Sequence, residues 1–213
     1  ERSRGLGDVY KRQISMIMGP CAGGAVYSPA MTDFTFMVKE TSYMFVTGPD
    51  VVKTVTSEEV TAEELGGAET HTTISSVADG SFNNDIEALN VLRKFLSFLP
   101  SSNEYKYIKR KTDDPKKRIS LALDTLIPEN PNLPYDMKEL IVSIADEYDF
   151  FELQHNFAKN ILIGFIRMDG QTIGVVANQP MVLAGCLDND SSRKAARFVS
   201  CLLYTSDAAD DSL

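Results

Sequence analysis

Apolar positions along the chain change their period several times, and each change predicts an element. Ile14–Met18 is a short apolar run stopped by Gly19-Pro20, the pattern of a buried strand ending in a turn. Small residues follow, Cys21-Ala22-Gly23-Gly24, and pass into Ala25-Val26-Tyr27-Ser28. That order predicts a tight loop opening a short helix, which Pro29 limits or kinks. Phe34–Val38 is aromatic and apolar and reads as another strand. Thr47-Gly48-Pro49-Asp50 reads as a helix start, with Thr47 as cap and Pro49 in the first turn, running through Val51–Val55. Thr61-Ala62-Glu63-Glu64 fits a capping box, and Gly66-Gly67 stops that segment. Between residues 83 and 99, the spacing of Ile86, Leu89, Val91, Leu92, Phe95, Leu96 and Leu99 predicts an amphipathic helix.

The character then changes. Pro100, Pro115, Pro128, Pro131 and Pro134 fall in a stretch rich in Lys and Asp, which reads as an interdomain linker over residues 101–133. Met137–Ala145 predicts a second amphipathic helix. Ile161–Met168 and Thr172–Ala177 flank Asp169-Gly170, a good hairpin signal. Residues 191–199 begin another helix, with Ala195, Ala196, Phe198 and Val199 expected to face inward. Alternating short strands and helices suggest an α/β class, with residues 14–100 in one domain and 134–200 opening a second.

Both ends depart from this pattern. Residues 8–13 and 201–210 resemble translations of a common transposon-end sequencing adaptor, read in opposite directions. Residues 1–13 and 201–213 are therefore expected to be non-native.

Composition narrows the class. The apolar share is 43% and the charged share 24%, as in soluble globular chains, and no apolar run reaches bilayer-spanning length. A net charge of −9 argues against a nucleic-acid partner, which would need a basic face. Three widely spaced cysteines and two histidines give no metal-site spacing and fit a reducing compartment.

Gly-Pro-Cys-Ala-Gly-Gly, residues 19–24, is the richest candidate for chemistry. A loop almost without side chains lets a ligand approach its backbone. Amides at a helix start face outward, where the dipole favours negative charge, so the loop could form an oxyanion hole. A tight turn, or close helix–strand packing, explains the same glycines. Cys21 could be a nucleophile, but it has no visible His-Asp partnership and reads more naturally as a small buried hydrophobe. His71, within Glu69-Thr70-His71-Thr72-Thr73, could be a general base or a structural hydrogen-bonding residue. Lys39, Lys53, Lys109, Arg110 and Lys111 are candidate cations for a phosphate-bearing ligand.

Four long runs carry a more specific signal: IMGPCAGGAVYSPAMTDFTFMVKETSYMFVTGPDVVKTVT, EELGGAETHTT, AKNILIGFIRMDGQTIGVVANQP and GCLDNDSSRKAARFV. Through them, Ile14 to about Ser200 resembles the carboxyltransferase (beta) subunits of propionyl-CoA carboxylase and related biotin-dependent acyl-CoA carboxylases. The resemblance implies a crotonase-like fold, with residues 14–100 closing one such domain and 134–200 opening another. It implies transfer of a carboxyl group from carboxybiotin to the α carbon of propionyl-CoA, through an enolate held by backbone amides. Gly23 and Gly24 would supply amides, and Gly19, Pro20, Cys21 and Ala22 would shape the substrate loop. A second oxyanion hole would lie beyond residue 200, so the chain alone is expected to be inactive. The resemblance further implies an acyl-CoA substrate, a biotin carboxylase and biotin carrier as partners, and a homo-oligomer. No membrane insertion is expected, and the location would be cytoplasmic, or the mitochondrial matrix in a eukaryote. Two rivals share the pattern: the alpha subunit of a sodium-pumping methylmalonyl-CoA decarboxylase, and a non-catalytic scaffold of the same fold.

Overall fold

The computed structural model describes residues 12–100, 109–115, 117–130 and 133–206, with side chains given to residue 202. The expected non-native ends therefore lie largely outside the described residues, as do residues 101–108, 116, 131 and 132 of the expected linker. The chain divides into two compact units, residues 1–93 and 94–213.

In the first unit, strands β1 (Ile14–Ile17), β3 (Phe34–Val38) and β5 (Gly80–Phe82) form a parallel sheet in the order β1-β3-β5. All five residues of β3 are buried, as suits a largely apolar and aromatic run in a central parallel strand, and its one polar side chain, Thr35, donates to Pro29 O at 3.0 Å. A second parallel pair joins β2 (Pro20–Ala22) to β4 (Tyr43–Phe45). Helices α1 (Tyr27–Ala30), α2 (Pro49–Thr56), α3 (Ala62–Gly66) and α4 (Ala68–Thr73) complete this unit, with α5 (Asp85–Leu96) leading out of it. Ile17, Val26, Met37, Met44, Ala68 and Ala78 form a shared core, with Cys21 and Val77 against it.

Local caps match the expected chemistry with one exception. The Thr61 hydroxyl accepts from Glu64 N–H at 3.2 Å, and the Glu64 carboxylate accepts from Thr61 N–H at 2.9 Å, a complete capping box. At α2 the cap is Gly48, not Thr47, and makes no side-chain bond. Pro49 takes the first helical position, where its missing N–H leaves nothing unsatisfied.

In the second unit, α6 (Leu123–Leu126) and α7 (Met137–Ile144) precede an antiparallel sheet of β6 (Phe151–Leu153), β7 (Ile161–Met168) and β8 (Gln171–Asn178), in that order. The hairpin pairs Met168 with Gln171 across Asp169 and Gly170, whose φ values are 50° and 75°. Two left-handed residues make the primed turn that suits the twist of paired strands. Helix α8 (Asn189–Ser206) then packs on β7 and runs past Ser200 without a break.

Two helices turn differently from their apolar spacing. In α5, Ile86, Leu89 and Leu96 are exposed, while Ala88, Phe95 and Phe98 (just beyond its end) are buried. Phe95 and Phe98 lie 5.3–6.1 Å from the rings of Phe151 and Phe165, and Phe165 meets Phe198 edge-on at 5.3 Å. These rings, not the proline-rich stretch, mark where the second unit begins. In α8, Phe198 is buried as expected, but Ala196 and Val199 are exposed and Ala195 is only half-buried. The inward face is Ser191, Lys194 and Phe198 instead. Two polar side chains with backbone and capping partners override the apolar count.

Phe165→Ala should lower stability by about 3–5 kcal/mol, read as a fall in denaturant midpoint, because Phe165 touches three other rings of this cluster. Hydrogen bonds from Thr61 hold the Glu64 carboxyl below its usual 4.5. A depressed carboxyl contributes stability that is present above 4.5 and is lost as pH falls through the lowered value. Thr61→Ala keeps the backbone N–H that contributes most and removes only the hydroxyl, so it should move Glu64 part of the way back toward 4.5 in an NMR titration and weaken that acid sensitivity of α3 without abolishing it.

Candidate functional site

Gly19–Gly24 runs through β2 into a 3-10 turn, Gly23–Val26, that continues directly into α1. Three parallel pairings hold β2 in place: Pro20 with Tyr43, Cys21 with Met44 and Ala22 with Phe45. Beyond them, Gly23 N–H donates to the Val46 carbonyl at 3.1 Å, extending the ladder by one bond. Gly23 has φ +64°, a conformation that glycine adopts without steric cost. The turn therefore swings out immediately after the last paired residue.

That bond bears on one expectation. Gly23 and Gly24 were both expected to offer amides, but the Gly23 amide is engaged by Val46. Gly24 is the second residue of the turn, where helical geometry supplies no internal acceptor for its N–H. It is also exposed. A Cβ placed on Gly19, Gly23 or Gly24 would meet nothing within 4 Å, so the face of the loop is open. One outward amide beside open space, with no side chain in front, can donate to an anionic oxygen of a ligand.

The neighbouring candidates have structural duties. The Cys21 thiol donates to Ala25 O at 3.3 Å, across the loop, and its side chain packs against the core of the first unit. This is the small-hydrophobe role rather than the nucleophile. His71 lies 2.7 Å from the Ser75 hydroxyl through Nδ1 and 2.7 Å from Met44 O through Nε2. With both ring nitrogens engaged, His71 ties α4 to β4 and is not poised as a base. Gly66 closes the same strand from another side: a Cβ there would stand 2.1 Å from Met44 O. Sequence reading missed β4, Val46 and this clamp on Met44, because a three-residue strand leaves no periodic trace.

Two of the candidate cations stand in ion pairs. Lys53 pairs with Glu59 at 2.6 Å and Lys109 with Asp169. Lys39 is 3.4 Å from the Asn83 side-chain oxygen. Lys39 and Lys53 belong to the first unit and residues 109–111 to the second. Among the described residues no cluster of His, Cys, Asp and Glu could hold a metal ion. No described helix is long and apolar enough to cross a membrane.

Comparison with known proteins gives these features a setting. The chain is 69% identical to the propionyl-CoA carboxylase beta chain of Cereibacter sphaeroides, over 92% of this chain and 40% of that protein. It is 55% identical to the human mitochondrial propionyl-CoA carboxylase beta chain, over 93% of this chain and 39% of that one. It is 51% identical to the methylmalonyl-CoA decarboxylase subunit alpha of Veillonella parvula, over 88% of this chain and 37% of that one. The chain thus spans about two fifths of the length of the curated relatives it matches. A solved structure of transcarboxylase 12S, a hexamer with hydrolysed methylmalonyl-coenzyme A bound, superposes with a TM-score of 0.87 at 41% identity. It covers 92% of this chain and 38% of that one. The carboxyl transferase domain family matches residues 10–205. So broad a match, with that superposition, makes this chain a member of the carboxyl transferase domain family with a crotonase-like α/β fold.

Proposed function

We propose that the chain is part of a carboxyltransferase subunit of a biotin-dependent acyl-CoA carboxylase, acting on propionyl-CoA to give methylmalonyl-CoA. The observation that carries this reading is 69% identity to a propionyl-CoA carboxylase beta chain over nearly the whole chain. The similar decarboxylase alpha subunit stands lower, at 51%, and would run related chemistry in the opposite direction.

The role of this chain's own residues follows from the loop. When the α proton of an acyl-CoA leaves, negative charge develops on the thioester oxygen. The Gly24 amide would donate there, and donors already aimed at developing charge need no reorganisation during the reaction. The Gly23–Val46 bond and the β2–β4 ladder hold that amide still. Carboxybiotin, presented by a partner subunit, would supply the carboxyl group, and the ureido nitrogen freed by that transfer would take up the α proton. Open space in front of Gly19, Gly23 and Gly24 fits a substrate that must approach the backbone closely. Nothing in this reading asks a side chain of the loop to act as base, and neither Cys21 nor His71 is free to be one. The whole subunit would assemble as a homo-oligomer and work with a biotin carboxylase and a biotin carrier.

The test is a carboxyl-transfer assay on the full-length subunit, mixing methylmalonyl-CoA with biotin or a biotinylated carrier and following propionyl-CoA release. Gly24→Leu keeps the amide but fills the open space in front of it, so it should keep the substrate oxygen away and slow release at least about tenfold, where loss of one oxyanion donor typically costs about 100–1000-fold in rate. Gly19→Ala should change it much less. Release unaffected by Gly24→Leu would discard the oxyanion role while keeping the enzyme class.

A further inference from the structure

The described chain holds one lysine whose ammonium lies almost wholly inside the protein. Lys194, on α8, is 2% exposed. Its Nζ donates to four backbone carbonyls: Gln154 O at 3.0 Å, Phe157 O at 2.8 Å, Ala158 O at 3.3 Å and Ile161 O at 2.8 Å. All four belong to the connection between β6 and β7, or to its ends. Among the described residues no carboxylate stands within ion-pair distance of it.

Such a group is costly to bury, since desolvation penalises the charged form. Burial pushes Lys194 down to about 8, so it still carries its proton at neutral pH. Four carbonyl acceptors favour the charged form in turn. The charged groups around it are arranged so that none replaces the carbonyls. Glu152 on β6 raises its proton affinity, but that carboxylate already accepts from Lys138 of α7 at 2.6 Å. His155 and Lys159 sit in the connection itself, and His155 is held low by burial, hence neutral at pH 7.

The connection is shaped around the ammonium. Gln154 and Ala158 have φ values of 50° and 41°, left-handed conformations that ordinary residues seldom adopt. Both contribute carbonyls to the cage. The same connection is fastened onward: Gln179 N–H donates to Asn160 O at 2.9 Å, and the Asn160 amide donates to Cys186 O at 2.8 Å. Asp188 and Ser191 then cap α8 reciprocally, each backbone N–H donating to the other's side chain at 2.8 Å. Lys194 thus closes a ring from α8 through residues 154–161 and the turn after β8 back to the start of α8.

We infer that residues 154–161 form a built site for a single monovalent ammonium, permanently filled by Lys194, and that this internal cation holds the β6–β7 connection in its left-handed form. Rings of carbonyls replace the hydration shell of a monovalent cation, which is the ligand chemistry seen here. Removing the lysine stem should leave a cage that accepts a free primary alkylammonium.

The experiment compares Lys194→Ala and Lys194→Met in the full-length subunit by thermal unfolding and by hydrogen exchange at amides 157–161. Both variants should lose at least tenfold in protection there. n-Propylammonium, which matches the atoms removed, should restore at least half of the lost melting temperature to Lys194→Ala, and tetramethylammonium at equal concentration should not. Lys194→Met, with its stem filled, should respond to neither. Parent-like stability and protection in Lys194→Met would overturn the inference, because packing of the stem would then suffice. An equal response of Lys194→Ala to both cations would also overturn it, as a general salt effect. If neither variant folds in plain buffer, refolding yield of Lys194→Ala decides. A yield raised by n-propylammonium alone supports the site, and equal yields reject it. None of these readouts depends on carboxyl transfer.

Discussion

The parallel pairing of β2 with β4 is the constraint on which the candidate site depends. Its three residue pairs are too few to stand alone, so the structure reinforces the pair around a single carbonyl, that of Met44. His71 bonds to it from α4, and Gly66 of α3 lies so close that no side chain fits between. Met44 itself is buried in the core of the unit. A strand fixed in this way can position its partner, and the Gly23–Val46 bond carries that precision one residue further, to the amide of Gly24. Glycines in this unit consequently do two unlike things. Gly66 lets backbone meet backbone, whereas Gly24 leaves its backbone uncovered.

Much of the fold was legible because its elements carry strong local signals. Asp169-Gly170 between apolar runs, the Thr61–Glu64 box and the largely apolar, aromatic run of β3 each state their structure within a few residues. The short strands β2, β4, β5 and β6 did not. Three residues cannot show a period, and these strands exist because a neighbour pairs with them. Helix facing was harder still. Counting apolar residues put Ala196 and Val199 inward on α8, but hydrogen-bonding opportunity put Ser191 and Lys194 there. A lysine normally points to water, and only the carbonyls of a distant connection reverse that preference.

The site was half legible. A run of small residues between a strand and a helix suffices to suggest an open loop, and the structure bears out that openness. Which of its amides is available cannot be read from composition, because the answer lies with Val46, more than twenty positions along the chain. The roles of Cys21 and His71 were likewise decided by partners, Ala25 O in one case and Ser75 with Met44 O in the other. Residue type announced chemistry at both positions, and three-dimensional company withdrew it.

Helix α5 has a consequence for anyone who would take the molecule apart. Its backbone is continuous from the first unit into the second, and the ring cluster claims its final turn. The prolines after residue 99 look like the natural place to divide the gene. A cut there would hand Phe95 and Phe98 to the wrong half, leaving one piece with two stranded aromatic rings and the other with a breached wall. Any division of the chain therefore has to leave Phe95 and Phe98 with Phe151 and Phe165.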